Sequence, residues 1–160
     1  RRLVRRGPDR TRGVKPFADT NVVIYALVPD DPRKQAVAQQ LLAGLQGPRP
    51  VIGTQTLAET YHVLTRRKAW KPAAATAALR VLAELTVVVP SAETVLLGLE
   101  LAAKNQLSGW DALVVQAALQ AGCDTLYSED LQSGRRFGAL EVVNPFAAAV
   151  QEPARRSRRR

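Results

Sequence analysis

Short apolar segments rich in strand-forming residues alternate along the chain with longer segments whose apolar residues recur at helical spacing. Strands that alternate with helices pair in parallel, because each helix returns the chain to the same edge of the sheet. The sequence therefore predicts an α/β domain with a parallel sheet that helices cover on both faces. Strands are predicted at residues 16–19, 50–53, 87–89, 125–127 and 141–143, with 87–89 expected to be buried.

The segments between these strands have the residues that typically start helices. Ser91 and Ser108 are preferred N-caps, and Pro72 suits a first helical turn. Helices are predicted at residues 33–46, 56–67, 72–85, 92–105 and 109–121.

Residues 22–28 allow two interpretations. Their β-branched valines and isoleucine favour a strand, whereas Thr20 or Asn21 could cap a helix at the same place. The run is too short for its periodicity to decide.

The net charge of +9 lies in the two ends of the chain rather than in its centre. Residues 1–16 carry seven Lys or Arg and one Asp, and residues 151–160 carry five Arg and one Glu, which leaves −1 for residues 17–150. Basic ends raise non-specific affinity for phosphate backbones, although solvated, disordered ends explain the pattern more simply. We expect one domain at residues 14–150, preceded by a disordered basic extension (1–13) and followed by a disordered basic tail (151–160).

The single cysteine, Cys123, has no partner for an internal disulfide, which favours a reducing compartment such as the cytoplasm. We expect it to be a small buried residue. The longest apolar run, residues 22–28, is too short to cross a bilayer, and the arginine-rich start lacks the apolar segment of a secretory signal. The sequence therefore predicts no membrane association.

Four acids follow predicted strands directly or lie in the first turns of predicted helices: Asp19, Glu59, Asp111 and Asp130. Open parallel sheets bind ligands in the crevice beyond the carboxyl ends of their strands, so we expect these acids to converge. Converging carboxylates repel each other unless a cation lies between them, and hard oxygen ligands suit Mg²⁺ or Mn²⁺. Such an ion activates water and stabilises the charge that develops on a phosphodiester.

Helix capping is the alternative explanation for two of these acids. Thr56-x-x-Glu59 and Ser108-x-x-Asp111 each match a capping box, in which the acid accepts a hydrogen bond from a backbone N–H. For either acid alone, capping is the better explanation. Only the shared position of all four acids favours a site.

The remaining distinctive residues favour structural roles or exclude other chemistry. His62 is predicted at the surface or an interface, and as the sole histidine it excludes any ribonuclease that uses two catalytic histidines. Trp110 could stack on a base, but core packing is favoured. The sequence has no phosphate-binding glycine loop. Four basic residues suit either RNA phosphates or a solvated helix end: Arg66, Arg67, Lys68 and Lys71.

Four segments of the sequence carry a resemblance to a known family. They are Phe17-Ala-Asp-Thr-Asn-Val-Val-Ile-Tyr-Ala-Leu, Leu57-Ala-Glu-Thr-Tyr-His-Val-Leu, Trp110-Asp-Ala-Leu-Val-Val-Gln-Ala-Ala and Leu126-Tyr-Ser-Glu-Asp-Leu-Gln. In order and spacing they resemble the signature segments of PIN domains, and most closely those of VapC-type toxins of bacterial toxin–antitoxin pairs. The resemblance covers about residues 14–146, so the basic ends lie outside it.

The resemblance implies a three-layer α/β/α sandwich with a five-stranded parallel sheet, in which residues 22–27 are helical. It also implies an endoribonuclease that depends on Mg²⁺ or Mn²⁺, acts on an RNA substrate, forms a homodimer and is inhibited by a cognate antitoxin. Three of the acids match the central metal-binding positions of the family: Asp19, Glu59 and Asp111. Asp130 matches the fourth, for which Glu129 could substitute, and the supporting polar positions match Thr20, Asn21 and Ser128.

Two other functions stay open at this point. A Mg²⁺-dependent phosphotransferase typically needs a second Asp two residues after its nucleophilic Asp, whereas Asp19 is followed by Thr20 and Asn21. A catalytically inactive PIN-like module that binds RNA or protein would not need the four acids, all of which are present. We therefore predict a single-domain endoribonuclease that is the toxin of a type II toxin–antitoxin system.

Overall fold

The computed structural model describes residues 14–147, so the basic extension and the basic tail expected from the sequence lie outside the described residues. Strands and helices alternate along this part of the chain, as the sequence predicts. Its elements follow in the order β1 (Pro16–Ala18), α1 (Thr20–Leu27), α2 (Pro32–Ala43), β2 (Ile52–Gly53), α3 (Thr54–Arg66), α4 (Pro72–Leu82), β3 (Val87–Val88), α5 (Ala92–Asn105), α6 (Gly109–Gln120), β4 (Thr125–Tyr127), β5 (Arg136–Phe137) and β6 (Leu140–Val143).

The strands form a four-stranded sheet in the order β1-β4-β6-β5 and a two-stranded sheet of β2 and β3. One parallel bridge between Phe17 and Val51 joins the two sheets, with hydrogen bonds from Val51 N to Pro16 O (2.8 Å) and from Ala18 N to Val51 O (2.9 Å). Strands β3, β2, β1, β4 and β6 thus lie side by side and parallel. All their carboxyl ends therefore meet at one edge.

The five parallel strands agree with the predicted five-stranded parallel sheet, but they are divided between two sheets and a sixth strand is added at one edge. The ladder between β1 and β2 is a single bridge, because α3 begins directly after Gly53. A sixth strand, β5, pairs antiparallel with β6 through a two-residue turn at Gly138 and Ala139. Gly138 has a φ of 61°, which glycine adopts readily. This hairpin was absent from the prediction because two residues carry no periodicity.

Two apolar clusters lie on opposite faces of the sheet, which gives the three layers of an α/β/α sandwich. Phe17 and Leu126 point into the cluster covered by α6, whereas the adjacent Ala18 points into the cluster covered by α1 and α2. Neighbouring strand residues face opposite sides of a sheet, which accounts for this division. Cys123 is buried in the first cluster, as predicted.

Helix α1 shows that the strand propensity of residues 22–28 is misleading, and that the helix implied by the resemblance is correct. Val22 and Val23 are both fully buried, so packing against the sheet outweighs the small helix penalty of β-branched residues. Asp19 is the N-cap of α1, one residue before Thr20 and two residues before Asn21, which are the caps proposed from the sequence.

Strand β3 is less buried than the sequence predicts. Val87 and Val88 are half-buried and Val89 is exposed, because β3 pairs only with β2 and lies at an edge of the sheet. None of the helices between residues 14 and 147 has both the length and the apolar character needed to cross a bilayer.

Candidate active site

Asp19 is the buried centre of a polar network at the carboxyl edge of the sheet. It follows β1 and caps α1, and only 7% of its surface is exposed. Its Oδ1 accepts a hydrogen bond from the backbone N–H of Thr20 (2.7 Å). Its Oδ2 accepts from the hydroxyl of Ser128 (2.8 Å) and the amide of Asn21 (3.3 Å). Two of the predicted supporting residues therefore hold the Asp19 carboxylate directly.

The loop after β4 brings Asp130 to Asp19. The Asn21 amide nitrogen donates to Asp130 Oδ2 (3.1 Å), and the Asn21 amide oxygen accepts from the backbone N–H of Glu129 (3.3 Å). The Ser128 hydroxyl oxygen accepts from the backbone N–H of Asp130 (3.2 Å). Asn21 and Ser128 thus fix both the loop and the exposed Asp130 carboxylate beside the buried one.

Glu59 approaches the same site from α3. Its Oε2 accepts from the Thr20 hydroxyl (2.6 Å), and its Oε1 accepts from the Gln55 amide (2.8 Å). Helix α3 begins at Thr54, so Glu59 lies in its second turn, and Thr56 itself accepts from the backbone N–H of Gly53 (3.4 Å). The capping box proposed for Glu59 is therefore wrong, because the helix starts two residues earlier than the sequence predicts.

Asp111 lies in the first turn of α6, where Ser108 is the N-cap. The Ser108 hydroxyl accepts from the backbone N–H of Asp111 (3.0 Å), so the serine half of the predicted capping box is confirmed. Within the described residues, no hydrogen bond runs from the backbone N–H of Ser108 back to the Asp111 carboxylate. The cap therefore does not use that carboxylate.

All four acids line one pocket of about 780 Å³ between α1, α3, the start of α6 and the loop after β4. The wall along α3 also includes His62 and Arg67, and Lys68 follows them. His62 is exposed, as predicted for a surface histidine. Lys68 pairs with Asp30. The pocket thus has carboxylates on its floor and basic residues at one end.

Trp110 departs most from its predicted position. The sequence favours core packing, but Trp110 is 68% exposed and its side chain lines the pocket. Because Trp110 is the second residue of α6, it lies at the helix end that opens on the site, whereas Ala112 and Val115 face the core.

Glu129 contacts Lys34 and Tyr25 rather than the other acids of the site. It forms an ion pair with Lys34 and accepts a hydrogen bond from the Tyr25 hydroxyl (2.7 Å). Burial alone would raise the pKa of Glu129, but the hydrogen bonds from Lys34 and Tyr25 lower it. Glu129 lines the pocket but is already neutralised. Of the pair Glu129 and Asp130, Asp130 is therefore the free carboxylate beside Asp19.

Lys34, Tyr25 and Gln55 contact site acids although the sequence analysis did not single them out. Tyr25 follows Asn21 by four residues, so both lie on one face of α1. Gln55 precedes Glu59 by four residues on α3 in the same way. Helical spacing could have identified these two, whereas the approach of Lys34 depends on the packing of α2 against α1.

The pKa of Asp19 is raised to about 6, because burial and, to a smaller extent, the nearby carboxylates of Asp130 and Glu59 outweigh the hydrogen bonds from Ser128 and Thr20, which lower it. A cation bound beside these oxygens would offset both the burial and the repulsion. The negative charge of Asp19 therefore raises the free energy of the folded chain, and a bound cation would lower it.

A divalent cation fits the chemistry of this donor set, because carboxylates supply the hard oxygens that Mg²⁺ and Mn²⁺ prefer. Among residues 14–147, no three His, Cys, Asp or Glu side chains are arranged to hold one ion together. Mg²⁺ usually keeps several waters and binds only one or two protein carboxylates. The arrangement thus suits an ion bound partly through water.

The raised pKa of Asp19 predicts a pH-dependent stability in EDTA. Its folded pKa of about 6 exceeds the ordinary aspartate pKa of 3.8, so the folded chain binds the proton more tightly. The resulting stabilisation is complete below pH 3.8 and is lost as pH rises through about 6. Its total is on the order of 3 kcal/mol. Urea unfolding of the parent and of Asp19→Asn should therefore show a difference in unfolding free energy that grows over this range. A pH-independent difference would contradict the assignment.

Comparison with known proteins agrees with this architecture. The PIN domain family matches residues 17–136 of the chain. No protein in the curated collection matches the chain significantly.

Solved structures of similar fold come from three bacteria. The sarcin-ricin loop cleaving toxin VapC20 of Mycobacterium tuberculosis has a TM-score of 0.61 and 24% identity, and the match covers 72% of this chain and 90% of that one. VapBC2 of Rickettsia felis, bound to a DNA fragment from its promoter, has a TM-score of 0.58 and 20% identity over 81% and 97% of the two chains. DNA-bound VapBC of Salmonella typhimurium has a TM-score of 0.58 and 16% identity over 81% and 96%.

The family match runs from β1 to the start of β5, and it includes helices α1 to α6 and all four acids. Together with the fold shared with these structures, it establishes that the chain belongs to the PIN domain family.

Proposed function

We propose that the chain is an endoribonuclease that depends on Mg²⁺ or Mn²⁺. The observation that carries this proposal is the buried Asp19 carboxylate, which has a raised pKa and shares one pocket with Glu59, Asp111 and Asp130. The acids supply the oxygens that a hard cation needs, and the open pocket leaves room for a polymer. Membership of the PIN family and the fold shared with VapC20, a toxin that cleaves the sarcin-ricin loop, support the choice of RNA.

The four acids would hold the ion partly through bound water, with Asp19 at the centre. When bound, a divalent ion supplies a water of lowered pKa and a positive charge beside the phosphodiester. The chain's own residues prepare the acids for this task. Thr20 and Gln55 hold both oxygens of Glu59, so its carboxylate is oriented before any ligand arrives. Asn21 and Ser128 fix Asp130 against Asp19 in the same way.

We further propose that the chain is the toxin of a type II toxin–antitoxin pair, works in the cytoplasm and is inhibited by a cognate antitoxin. The structures of VapBC from Rickettsia felis and Salmonella typhimurium support a protein partner of this kind. A homodimer is also expected, and three leucines exposed on α5 provide an apolar surface for it: Leu96, Leu97 and Leu99. Sedimentation equilibrium should then give twice the mass of one chain.

Removal of the metal tests the proposed chemistry. Excess EDTA should abolish cleavage of RNA by the full chain, and an excess of Mg²⁺ or Mn²⁺ should restore it, because the acids alone provide no nucleophile for the phosphodiester. Asp19→Asn, purified in parallel, controls for contaminating ribonucleases. Cleavage that continues in EDTA, or that is equal in the Asn variant, would contradict the proposal. RNA binding without cleavage under any of these conditions would instead indicate an inactive PIN-like module.

A further inference from the structure

Trp110 is 68% exposed to solvent at the edge of the pocket, directly before Asp111. Burial of a large aromatic side chain stabilises a fold, so an exposed indole contributes little to the core. The other tryptophan, Trp70, follows the usual pattern, because it packs against the cluster of Val28, Leu64 and Ala75. Trp110 is therefore available to a ligand in the pocket.

The pocket wall along α3 connects the acids with a cation. Glu59, His62, Val63 and Arg67 follow one another at spacings of one to four residues and all line the pocket. At a rise of 1.5 Å per residue, Arg67 lies about 12 Å beyond Glu59 along the helix axis. The pocket is thus an elongated groove rather than a single point of attachment.

Arg67 is the basic residue of this groove that is free to bind an anion. Lys68 is paired with Asp30, whereas between residues 14 and 147 no ion pair engages the Arg67 guanidinium. An arginine in this state suits a phosphate oxygen, because its planar donors match that geometry. The groove therefore combines an aromatic face, an acidic centre and one free cation.

We propose that this groove binds an unpaired stretch of RNA, with one nucleobase stacked on Trp110 and a backbone phosphate on Arg67. The inference rests on the proposed ribonuclease function and makes Trp110 a specificity-determining residue. Aromatic faces combined with basic side chains are the usual means of binding single strands. Bases inside a duplex stack on their neighbours, so only an unpaired base offers a free face to the indole. Trp110 thereby favours single-stranded over duplex RNA beside the acids.

Binding in EDTA tests this inference without any turnover. The full chain in a Trp70→Phe background leaves Trp110 as the sole indole, so its fluorescence reports on the groove. A mixed-sequence octaribonucleotide should quench this fluorescence, and the same strand annealed to its complement should quench it much less. The Trp110 variants lack this indole, so their binding is followed by the fluorescence anisotropy of an end-labelled strand. Trp110→Leu should weaken binding of the single strand about 10-fold or more. Trp110→Tyr should retain most of the affinity, because it keeps an aromatic face.

The dependence of binding on salt concentration distinguishes the contact of RNA with Trp110 from its contact with Arg67. The loss caused by Trp110→Leu should persist as salt rises, because stacking is not ionic. Arg67→Gln should weaken binding most at low salt and reduce the slope of log affinity against log salt by about one unit. Both variants keep the basic ends of the chain, so non-specific binding is the same in each comparison.

Three results would overturn the inference: equal affinity of Trp110→Leu and the parent, no advantage of Tyr over Leu, or equal losses for single-stranded and duplex RNA. A change in sedimentation mass in Trp110→Leu would overturn it too, because the indole would then be a protein contact. The proposed ribonuclease function and the proposed stacking on Trp110 can be contradicted independently of each other. Stacking without any metal-dependent cleavage contradicts only the nuclease, and cleavage with an unchanged KM in Trp110→Leu contradicts only the stacking.

Discussion

Asp19→Asn should lower the single-turnover rate of RNA cleavage at saturating Mg²⁺ about 10³-fold or more. The Asp19 carboxylate is the most buried of the four acids and carries the raised pKa, so it is the strongest candidate for direct contact with the ion. Loss of an interaction worth several kcal/mol in the transition state has an effect of this size. The measurement is the rate of product formation with enzyme in excess of RNA.

The fold should survive this substitution. Asn is as good an N-cap as Asp, and it can replace the hydrogen bond from the backbone N–H of Thr20. At pH 7 in EDTA, the melting temperature of Asp19→Asn should be equal to or higher than that of the parent, because a buried charge is removed. A variant that melts well below the parent would leave misfolding as the cause of lost cleavage, and a variant that cleaves normally would exclude Asp19 from the chemistry.

Asp111→Asn should lose cleavage activity but little stability, whereas Ser108→Ala should lose stability but little cleavage activity. Ser108 provides the N-cap of α6, so its loss should lower the free energy of unfolding by about 1 kcal/mol while cleavage stays close to that of the parent. Asp111 adds only its charge near the helix start, worth about 0.3–1 kcal/mol. Its replacement by Asn should instead lower the cleavage rate about 10²-fold or more.

This pair of variants separates a capping acid from a functional one on the same helical turn. Denaturant unfolding gives the stability of each variant, and single-turnover cleavage gives its activity. If Asp111→Asn loses as much stability as Ser108→Ala and keeps its activity, Asp111 serves the helix alone and the proposed site has three acids.

The meeting of the four acids at one edge of the sheet follows from the sequence, because parallel strands separated by helices end on the same side. Asp19 comes directly after β1 and Asp130 comes three residues after the end of β4, and these two strands are adjacent in the sheet. Their roles as metal ligands stay predictions. The residues that orient them, Thr20, Asn21 and Ser128, came from the family resemblance, since nothing in their spacing indicates these contacts.

The errors arise where tertiary packing outweighs local sequence preference. The strand propensity of residues 22–28 gives way to burial of Val22 and Val23 between α1 and the sheet. The start of α3 was misplaced because Thr56 has the residue type of an N-cap, whereas Gly53 ends β2 and the helix begins at once. Lys34 meets Glu129 through the packing of α2 on α1, a long-range contact that no local pattern encodes.

The sequence favours core packing for Trp110, because tryptophan is usually well buried. Its actual position depends on where α6 begins relative to the pocket, since a shift of one residue in the helix start would rotate the indole by about 100°. The exposed residues of a site are hard to identify from one sequence for this reason: local pattern gives the helix, but not which of its ends opens on a cavity.

Direct binding of Mn²⁺ is the sharpest test of the claim that these acids form a divalent metal site. Titration of the full chain, followed by the electron paramagnetic resonance signal of free Mn²⁺, should show saturable binding that Asp19→Asn weakens at least about 10-fold, the usual cost of a disturbed metal site. Glu129→Gln is the matched control, because it removes a carboxylate from the same pocket that Lys34 and Tyr25 already engage, and it should bind Mn²⁺ like the parent. Equal Mn²⁺ affinity of the parent and Asp19→Asn would contradict the account.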